Sequence, residues 1–258
     1  MKKAFTLAEV LITLGIIGVV AAMTIPTLIT QYNERVNLTK LKQTVNILHN
    51  GMKLLAANSG GDLQNAGIFT NTIDDTYYEN LDNAIQSVFK CTKTYIATDE
   101  SNYTVDILNG DKGTDARYNL GLKSAYSTSL ATLGDYQFDL QNGARIAIFN
   151  QKCTPTNHPE TSLAMPARCG TIYFDINGTT APNIIGRDIF GLIISSTGDV
   201  FPTNGIEFAK YMSGAEWETS IYWWKNNGGN ARNCTFSSTS QGYACLARLM
   251  ENNWVFDY

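Results

Sequence analysis

The sequence predicts an α+β protein in which a long N-terminal helix, membrane-spanning in its first half, packs on a C-terminal antiparallel β-sheet domain. Three observations favour this fold class. An apolar run begins the chain, an amphipathic pattern of helical period follows it, and short strand-like runs separated by turn residues occupy the C-terminal part. With 258 residues, the chain is long enough to bury a sizeable core.

The first element is an apolar segment, Phe5–Ile29, whose only charged side chain is Glu9. Its 25 residues, at about 1.5 Å rise per residue, exceed the roughly 30 Å hydrocarbon core of a bilayer. Lys2 and Lys3 precede it, so the positive-inside bias places the N-terminus in the cytoplasm and the rest of the chain outside. A carboxylate within such a span costs about 2.5 to 3.5 kcal/mol on insertion scales, which marks Glu9 as a functional residue.

An ordinary secretory signal peptide is the alternative interpretation of this segment. The two lysines, the apolar run and the small residues Val20-Ala21-Ala22 stand in the order that such peptides need. Two features argue against it. The apolar run is longer than the roughly 7 to 15 residues of an h-region, and an acid early in the run has no purpose in a discarded peptide.

The residues around Glu9 resemble a known family. Lys2-Lys3-Ala4 followed by Phe5-Thr6-Leu7-Ala8-Glu9-Val10-Leu11 is similar to the leader of type IV prepilins and type II secretion pseudopilins. In that family, a membrane peptidase cuts before the Phe and methylates the new amine. The resemblance implies that residues 1–4 are a leader, that cleavage falls between Ala4 and Phe5, and that Phe5 is N-methylated. Glycine is usual before the cut, and Ala4 is small enough that we expect processing.

The resemblance also implies a pilin-like fold and a role for the helix in assembly. Inside a bundle of apolar helices, Glu9 would pair with the freed Phe5 amine of a neighbouring subunit, so that each charge relieves the desolvation of the other. Gly15, Gly18 and Pro26 match the kinked helix of this family. The implied location is the inner, cytoplasmic membrane, and after assembly a filament at the cell surface or in the periplasm.

Beyond Pro26 the helix is predicted to continue and to become amphipathic. Apolar side chains recur at steps of four and three residues, at Leu41, Val45, Leu48, Met52 and Leu55. Asn58-Ser59-Gly60-Gly61 ends the helix, which therefore covers residues 5–58, with residues 5–29 membrane-spanning. We expect the apolar stripe to pack within the chain; packing against a neighbouring subunit is the alternative.

Residues 59–258 form the predicted exported globular α+β domain. Strands are predicted at Arg145–Phe149, Gly170–Ile176 and Phe190–Ile194, and a turn at Ser196–Asp199 leads to an extended Val200–Pro202. Short helices are predicted over Leu81–Lys90 and Tyr243–Asn252. The alternation of strands and turns indicates an antiparallel sheet.

The five cysteines agree with export to an oxidising compartment. Cys153 and Cys169 flank a proline-rich segment, and Cys234 and Cys245 flank a serine-rich one. Each pair is a candidate disulfide that would stabilise the fold by about 2 to 4 kcal/mol. The connectivity stays open, because Cys91 can be buried, free or paired with any of the other four.

Asp175, Asn177 and Asp188 are candidate oxygen ligands for calcium on a connection between two strands. A loop held by Asx turns is the favoured alternative, because calcium needs seven or so oxygens and the sequence does not show where the others come from. A zinc site is not predicted, since no Cys/His cluster has its spacing and the only histidines are His49 and His158. No other cofactor is predicted.

The sequence contains no Gly-rich phosphate loop, HExxH or GxSxG motif, so we predict no enzyme and assign no catalytic residue. The net charge is −4, and loss of Lys2 and Lys3 with the leader would make it −6 before the new amine is counted. No nucleic-acid partner is expected for such an acidic chain.

Two functions of different class remain. The first is a structural subunit, a pilin or pseudopilin, with copies of itself or other pilins, the prepilin peptidase, the inner-membrane assembly platform and membrane lipid as partners. The alternative is an exported adhesin-like or ligand-binding protein anchored by the same helix. The aromatic residues Trp217, Tyr222, Trp223 and Trp224 are a candidate carbohydrate- or surface-binding platform, and core packing is their favoured interpretation.

Overall fold

The structure is a computed structural model of the 258-residue chain. It describes residues 6–70, 75–96, 104–105, 118–119, 136–157, 164–178, 180, 185–203, 234 and 244–256. The chain divides into two compact units, Met1–Thr39 and Lys40–Tyr258, and the boundary falls within the first helix. Ala4, Phe5, His158 and the cluster Trp217, Tyr222, Trp223 and Trp224 lie outside the described residues.

Helix α1, Leu7–Asn58, is the first element in both the sequence and the structure. Gly15, Gly18 and Pro26 lie inside it, and the helix is continuous through all three. The bend at these residues stays a prediction. In the second unit α1 buries one face, formed by Leu41, Thr44, Val45, Leu48, Gly51, Met52, Leu55 and Ala56. This confirms that the apolar stripe packs within the chain.

Two shorter helices follow α1 in the part of the second unit that the structure describes. Helix α2 covers Asp75–Val88 and helix α3 covers Cys245–Glu251. The sequence placed the start of α2 too late, because the buried face of this helix includes Tyr77 one turn before Leu81. Between α1 and α2, a short 3-10 turn at Leu63–Ala66 begins with the side chain of Asp62 accepting a hydrogen bond from the backbone of Gln64.

Nine strands occur among the described residues, and their bounds follow in chain order. They are β1 Cys91–Ile96, β2 Thr104–Val105, β3 Tyr118–Asn119, β4 Tyr136–Leu140, β5 Arg145–Phe149, β6 Thr154–Asn157, β7 Ala164–Asp175, β8 Ile189–Ser195 and β9 Val200–Pro202. A seven-stranded sheet has the order β1-β4-β5-β7-β8-β9, with β6 beside β7, and β2 pairs separately with β3. Every pairing between these strands is antiparallel, so the predicted sheet and the α+β class are confirmed.

Strand β7 is longer than the sequence predicts, and its partners explain the extra length. Its second part pairs with β5, where Arg145 lies opposite Asp175, and its first part pairs with β6, where Thr154 lies opposite Arg168. The residues before Gly170 are weak strand formers, and Pro166 is among them. Pairing with a neighbouring strand, and not local propensity, therefore extends β7.

The core of the second unit joins helix α1 to the sheet through Phe89. A Cβ atom built on Gly51 of α1 would lie 2.1 Å from Cε1 of Phe89, so the ring packs directly on the helix backbone. The same ring lies 5.4 Å, centroid to centroid, from Phe138 of β4. Phe138 belongs to a buried row that crosses four strands, with Ile146, Phe174 and Phe190 as successive partners. This row is the centre of the apolar core.

Candidate functional site

Glu9 lies in the first turn of α1 and is held by Thr6. The backbone N–H and the hydroxyl of Thr6 each donate a hydrogen bond to Oε2 of Glu9 at 2.9 Å. In return, the backbone N–H of Glu9 donates to Oγ1 of Thr6 at 3.3 Å. This reciprocal arrangement is a capping box, in which the first and fourth residues of the helix start satisfy each other.

The sequence pattern identified Glu9 as a functional residue, but this role of Thr6 was not predicted. The signal was nevertheless present in Thr6-Leu7-Ala8-Glu9, a Thr-x-x-Glu pattern directly before an apolar run. The cap explains why α1 begins at Leu7. It also gives Glu9 a partner on its own chain before any neighbouring subunit is considered.

Apolar side chains follow this carboxylate along the first part of α1. Within the described residues, α1 is the one helix that is long and apolar enough to cross a membrane, and none of its apolar window is buried. Leu7, for example, is 79% exposed. An all-round apolar surface of this kind needs lipid or other helices to cover it.

In the second unit, the β8–β9 turn is fastened to α1. A Cβ atom on Gly198, which has a φ of +80°, would lie 2.4 Å from the carbonyl oxygen of Met52, so only glycine allows this close approach. Beside it, Nζ of Lys53 lies 2.6 Å from Oδ1 of Asp199. The backbone of Ser196 accepts a hydrogen bond from Leu63 N–H at 2.7 Å, which ties the turn to the segment after α1.

The electrostatics of this turn favour an ionised Asp199. Partial burial raises the pKa of Asp199, but hydrogen bonds from Lys53 and Thr197 and the charges of Lys53 and His49 outweigh it. The pKa therefore lies below its ordinary value. The carboxylate, and not the carboxylic acid, is the form that fastens the turn to the helix.

The structure contains two disulfides, Cys153–Cys169 and Cys234–Cys245, which join the pairs that the sequence spacing suggested. All four half-cystines are buried. The first bridge links the residue before β6 to β7, and the second links Cys234 to the first residue of α3. Arg248 donates a further hydrogen bond to the carbonyl of Cys234 at 2.7 Å.

Cys91 is the free cysteine. Its side chain is half-buried at the start of β1. Burial, followed by the negative charges of Asp82 and Asp139, raises the pKa of the Cys91 thiol to about 11. The thiol therefore stays protonated at neutral pH, and it is a poor nucleophile in this environment.

Asp175, Asn177 and Asp188 lie together at the end of β7. Oδ1 of Asp175 accepts the backbone N–H of Asn177 at 3.0 Å, which is an Asx turn, and Nδ2 of Asn177 donates to Oδ2 of Asp188 at 3.3 Å. Both aspartates are buried, while Oδ1 of Asn177 is buried without a hydrogen-bond partner. The described residues hold no group of three or more His, Cys, Asp or Glu arranged for a metal. Calcium here stays a prediction.

One comparison with known proteins gives a match, and it falls on the N-terminal segment. Residues 1–25 match the family model described as the prokaryotic N-terminal methylation motif. Neither the curated proteins nor the solved structures contain a match to this chain. The matched segment includes the capping box and the first turns of the apolar helix.

The motif is the signature of type IV prepilins and pseudopilins, a structural and not an enzymatic family whose members are in general processed by a peptidase and assembled into filaments. Together with the exposed apolar part of α1, it supports membrane anchoring. The long helix followed by an antiparallel sheet has the pilin-like arrangement that this signature implies. The chain therefore carries the signature of the type IV prepilin and pseudopilin proteins on a pilin-like α+β fold.

Proposed function

We propose that this protein is a structural subunit of a type IV pilus or a type II secretion-like filament, assembled through α1. In this proposal the prepilin peptidase cuts between Ala4 and Phe5 and methylates Phe5. One observation carries the proposal: the methylation motif matches residues 1–25, and from Leu7 onwards this segment is an apolar helix whose membrane-length window has no buried residue and whose first turn holds one carboxylate, Glu9.

The negative charge of Glu9 is a physical reason for this residue to pair with a cation on a neighbouring subunit. Among the described residues its hydrogen-bond partner is Thr6, which carries no charge that would neutralise it. Cleavage would free an amine at Phe5, and that amine on an adjacent subunit would neutralise Glu9 within a bundle of apolar helices. Removing one partner of a buried ion pair costs about 3 to 5 kcal/mol, which is enough to set the register of subunit addition.

The proposed placement follows from charge and hydropathy. Lys2 and Lys3 would keep the N-terminus in the cytoplasm, α1 would cross the inner membrane once, and the second unit would lie outside. Membrane lipid would cover the apolar helix before assembly, and copies of the chain or other pilins would cover it afterwards. The two disulfides are compatible with the oxidising side of that membrane.

The length of the second unit, Lys40–Tyr258, favours a minor or specialised subunit over a simple major one. An adhesin-like or ligand-binding protein anchored by the same helix is the alternative. A major subunit dominates the sheared filament fraction, whereas a minor subunit and a tip-located binding protein are both scarce there. Ligand binding that survives in the soluble fragment from about Arg35 onwards would indicate the binding protein.

Mass spectrometry of the protein from its native cells tests the processing step. We expect a mature N-terminus at methylated Phe5, and the loss of residues 1–4. An N-terminus at Met23 would instead restore the ordinary signal peptide and overturn the proposal.

The substitution Glu9→Ala tests assembly. We expect cleavage and methylation to proceed and filaments to be absent from the sheared fraction. Glu34→Ala is the matched control, because Glu34 is an exposed glutamate on the same helix and outside the methylation motif. A Glu9→Ala protein that builds filaments at the normal rate would contradict the proposed pairing.

We further infer that Asp175, Asn177 and Asp188 hold their connection by hydrogen bonds, with calcium binding as the alternative. The three side chains supply only part of the six to eight oxygens that calcium takes, although Oδ1 of Asn177 is buried and without a hydrogen bond. Thermal unfolding with and without calcium separates the two. A rise in melting temperature that Asp175→Ala abolishes would establish the metal site, and an unchanged melting temperature would exclude it.

A further inference from the structure

We propose that Thr6 is a positioning residue for Glu9: it holds one oxygen of the carboxylate and leaves the other for the cation of a neighbouring subunit. This inference rests on the proposed function, because it concerns the same assembly contact. It adds a second residue to that contact and assigns a separate task to each carboxylate oxygen.

The two oxygens of Glu9 are not equivalent. Oε2 accepts both the N–H and the hydroxyl of Thr6, each at 2.9 Å, while Oε1 accepts no hydrogen bond from the described residues. The side chain of Glu9 is also exposed on the helix surface. A carboxylate can accept about four hydrogen bonds, so an amine can approach Oε1 while Thr6 keeps Oε2.

Positioning before assembly has an energetic advantage. A free glutamate side chain has several rotamers and must lose this freedom when it enters an ion pair. The capping box fixes the side chain along the first turn, so part of that entropy is lost when the helix forms and not when the neighbour arrives. The assembly contact is therefore partly preorganised within each subunit.

Threonine suits this task because its hydroxyl can donate one hydrogen bond and accept another. Oγ1 donates its proton to Oε2 of Glu9 and accepts the N–H of Glu9. Serine can do both, valine can do neither, and aspartate can only accept when ionised. Thr6→Asp thus keeps a helix N-cap but loses the hydroxyl donor, which separates positioning from simple capping.

The experiment measures filament formation in the native cells, expressed per processed subunit so that any effect on the peptidase is removed. We expect Thr6→Val to assemble about fivefold more slowly, the factor that corresponds to about one helix N-cap. Thr6→Asp should be at least as slow, and Thr6→Ser should restore the rate. Thr13→Val is the matched control, because the hydroxyl of Thr13 donates to the carbonyl of Val10 within the same helix.

Each other outcome overturns the inference. A Thr6→Val rate equal to that of the Thr13→Val control shows that the hydroxyl does not act through Glu9. A Thr6→Asp rate equal to that of Thr6→Ser shows that Thr6 only caps the helix. A slow Thr6→Ser shows that the hydroxyl is not the determinant. Normal filaments in Glu9→Ala would contradict the proposed function, whereas the Thr6 variants test the positioning role alone. The failure of one can therefore be distinguished from the failure of the other.

Discussion

The two halves of α1 share one backbone conformation and have different surroundings. In the first unit the helix is apolar all round to Ile29 and its side chains are exposed, whereas from Lys40 onwards one face is buried by the protein's own sheet domain. Helical conformation therefore says little about what stabilises each half. The second half is stabilised by contacts with distant residues of the same chain, whereas the all-round apolar surface of the first half is of the kind that lipid or other helices cover.

In the second half of α1, residues of the sheet domain contact both the helix backbone and its side chains. Gly198 lies on the backbone of Met52 and Lys53, and Phe89 lies on Gly51. Asn142 reaches the hydroxyl of the buried Thr44. In contrast, a Cβ atom built on Gly15 or Gly18 would meet nothing within 4 Å. Equivalent substitutions in the two halves should thus have unequal effects.

Gly198→Ala should give the largest loss of stability. Its Cβ would collide with the backbone of α1, which cannot move aside as a flexible side chain can, and alanine is strained at a φ of +80°. We expect the free energy of unfolding of the detergent-solubilised protein to fall by about 3 kcal/mol in urea titrations. Gly143→Ala isolates the backbone strain, because Gly143 has a φ of +86° and no neighbour within 4 Å; it should cost about 1 kcal/mol. Equal losses would contradict docking of the turn on α1.

Gly51→Ala and Gly18→Ala compare the two halves of the helix directly. The first substitution forces Phe89 away from α1 and should lower the free energy of unfolding by about 1 to 2 kcal/mol, despite the better helix propensity of alanine. The second meets no neighbour and should leave unfolding of the sheet domain unchanged, as measured by near-UV circular dichroism. A loss in Gly18→Ala as large as that in Gly51→Ala would contradict the packing of Phe89 on Gly51 as the cause.

Thr44→Val tests a single hydrogen bond between α1 and the β4–β5 turn. The substitution keeps the shape of the side chain but leaves Nδ2 of Asn142 without its acceptor, so we expect a loss of about 1 kcal/mol in the free energy of unfolding. Thr39→Val is the control, since the hydroxyl of Thr39 is exposed and bonds to Arg35 in the preceding turn. A loss as large in the control as in Thr44→Val would place the effect in the helix and not in the turn.

The Lys53–Asp199 pair should have the smallest effect, below about 1 kcal/mol, because both side chains are partly exposed. The pKa of Asp199 is lower in the folded protein than in the unfolded chain. Its contribution is therefore fully present above the unfolded value of about 3.9 and is lost as the pH falls through the folded value. The difference in unfolding free energy between wild type and Asp199→Asn should shrink on acidification from pH 7 to pH 3.

Local patterns predicted the parts of the fold that depend on near neighbours in the chain. The steps of three and four residues identified the buried stripe Leu41, Val45, Leu48, Met52 and Leu55. The run at Arg145–Phe149 has the bounds of β5, and Phe190–Ile194 lies within β8. These elements are well predicted because the periodicity of a helix or strand appears in residues that are close together in the sequence.

Elements that depend on partners were predicted less well. The first part of β7 was missed because its pairing with β6, and not its residue types, makes it a strand. Glu9 stood out as the lone charge of an apolar run, yet its capping partner Thr6 was overlooked although the pattern was local. The ion pair between Arg145 and Asp139, at 2.8 Å, was also missed, since it forms only when β4 and β5 are in register.

The sequence by itself determined the apolar span, the single carboxylate within it, the methylation motif and the amphipathic continuation of the helix. The tertiary structure decided which distant groups cover that continuation. Thr44 and Asn142 are 98 residues apart, and nothing in either local sequence specifies their contact. Such contacts depend on strand order and register, which are set by the packing of the whole domain.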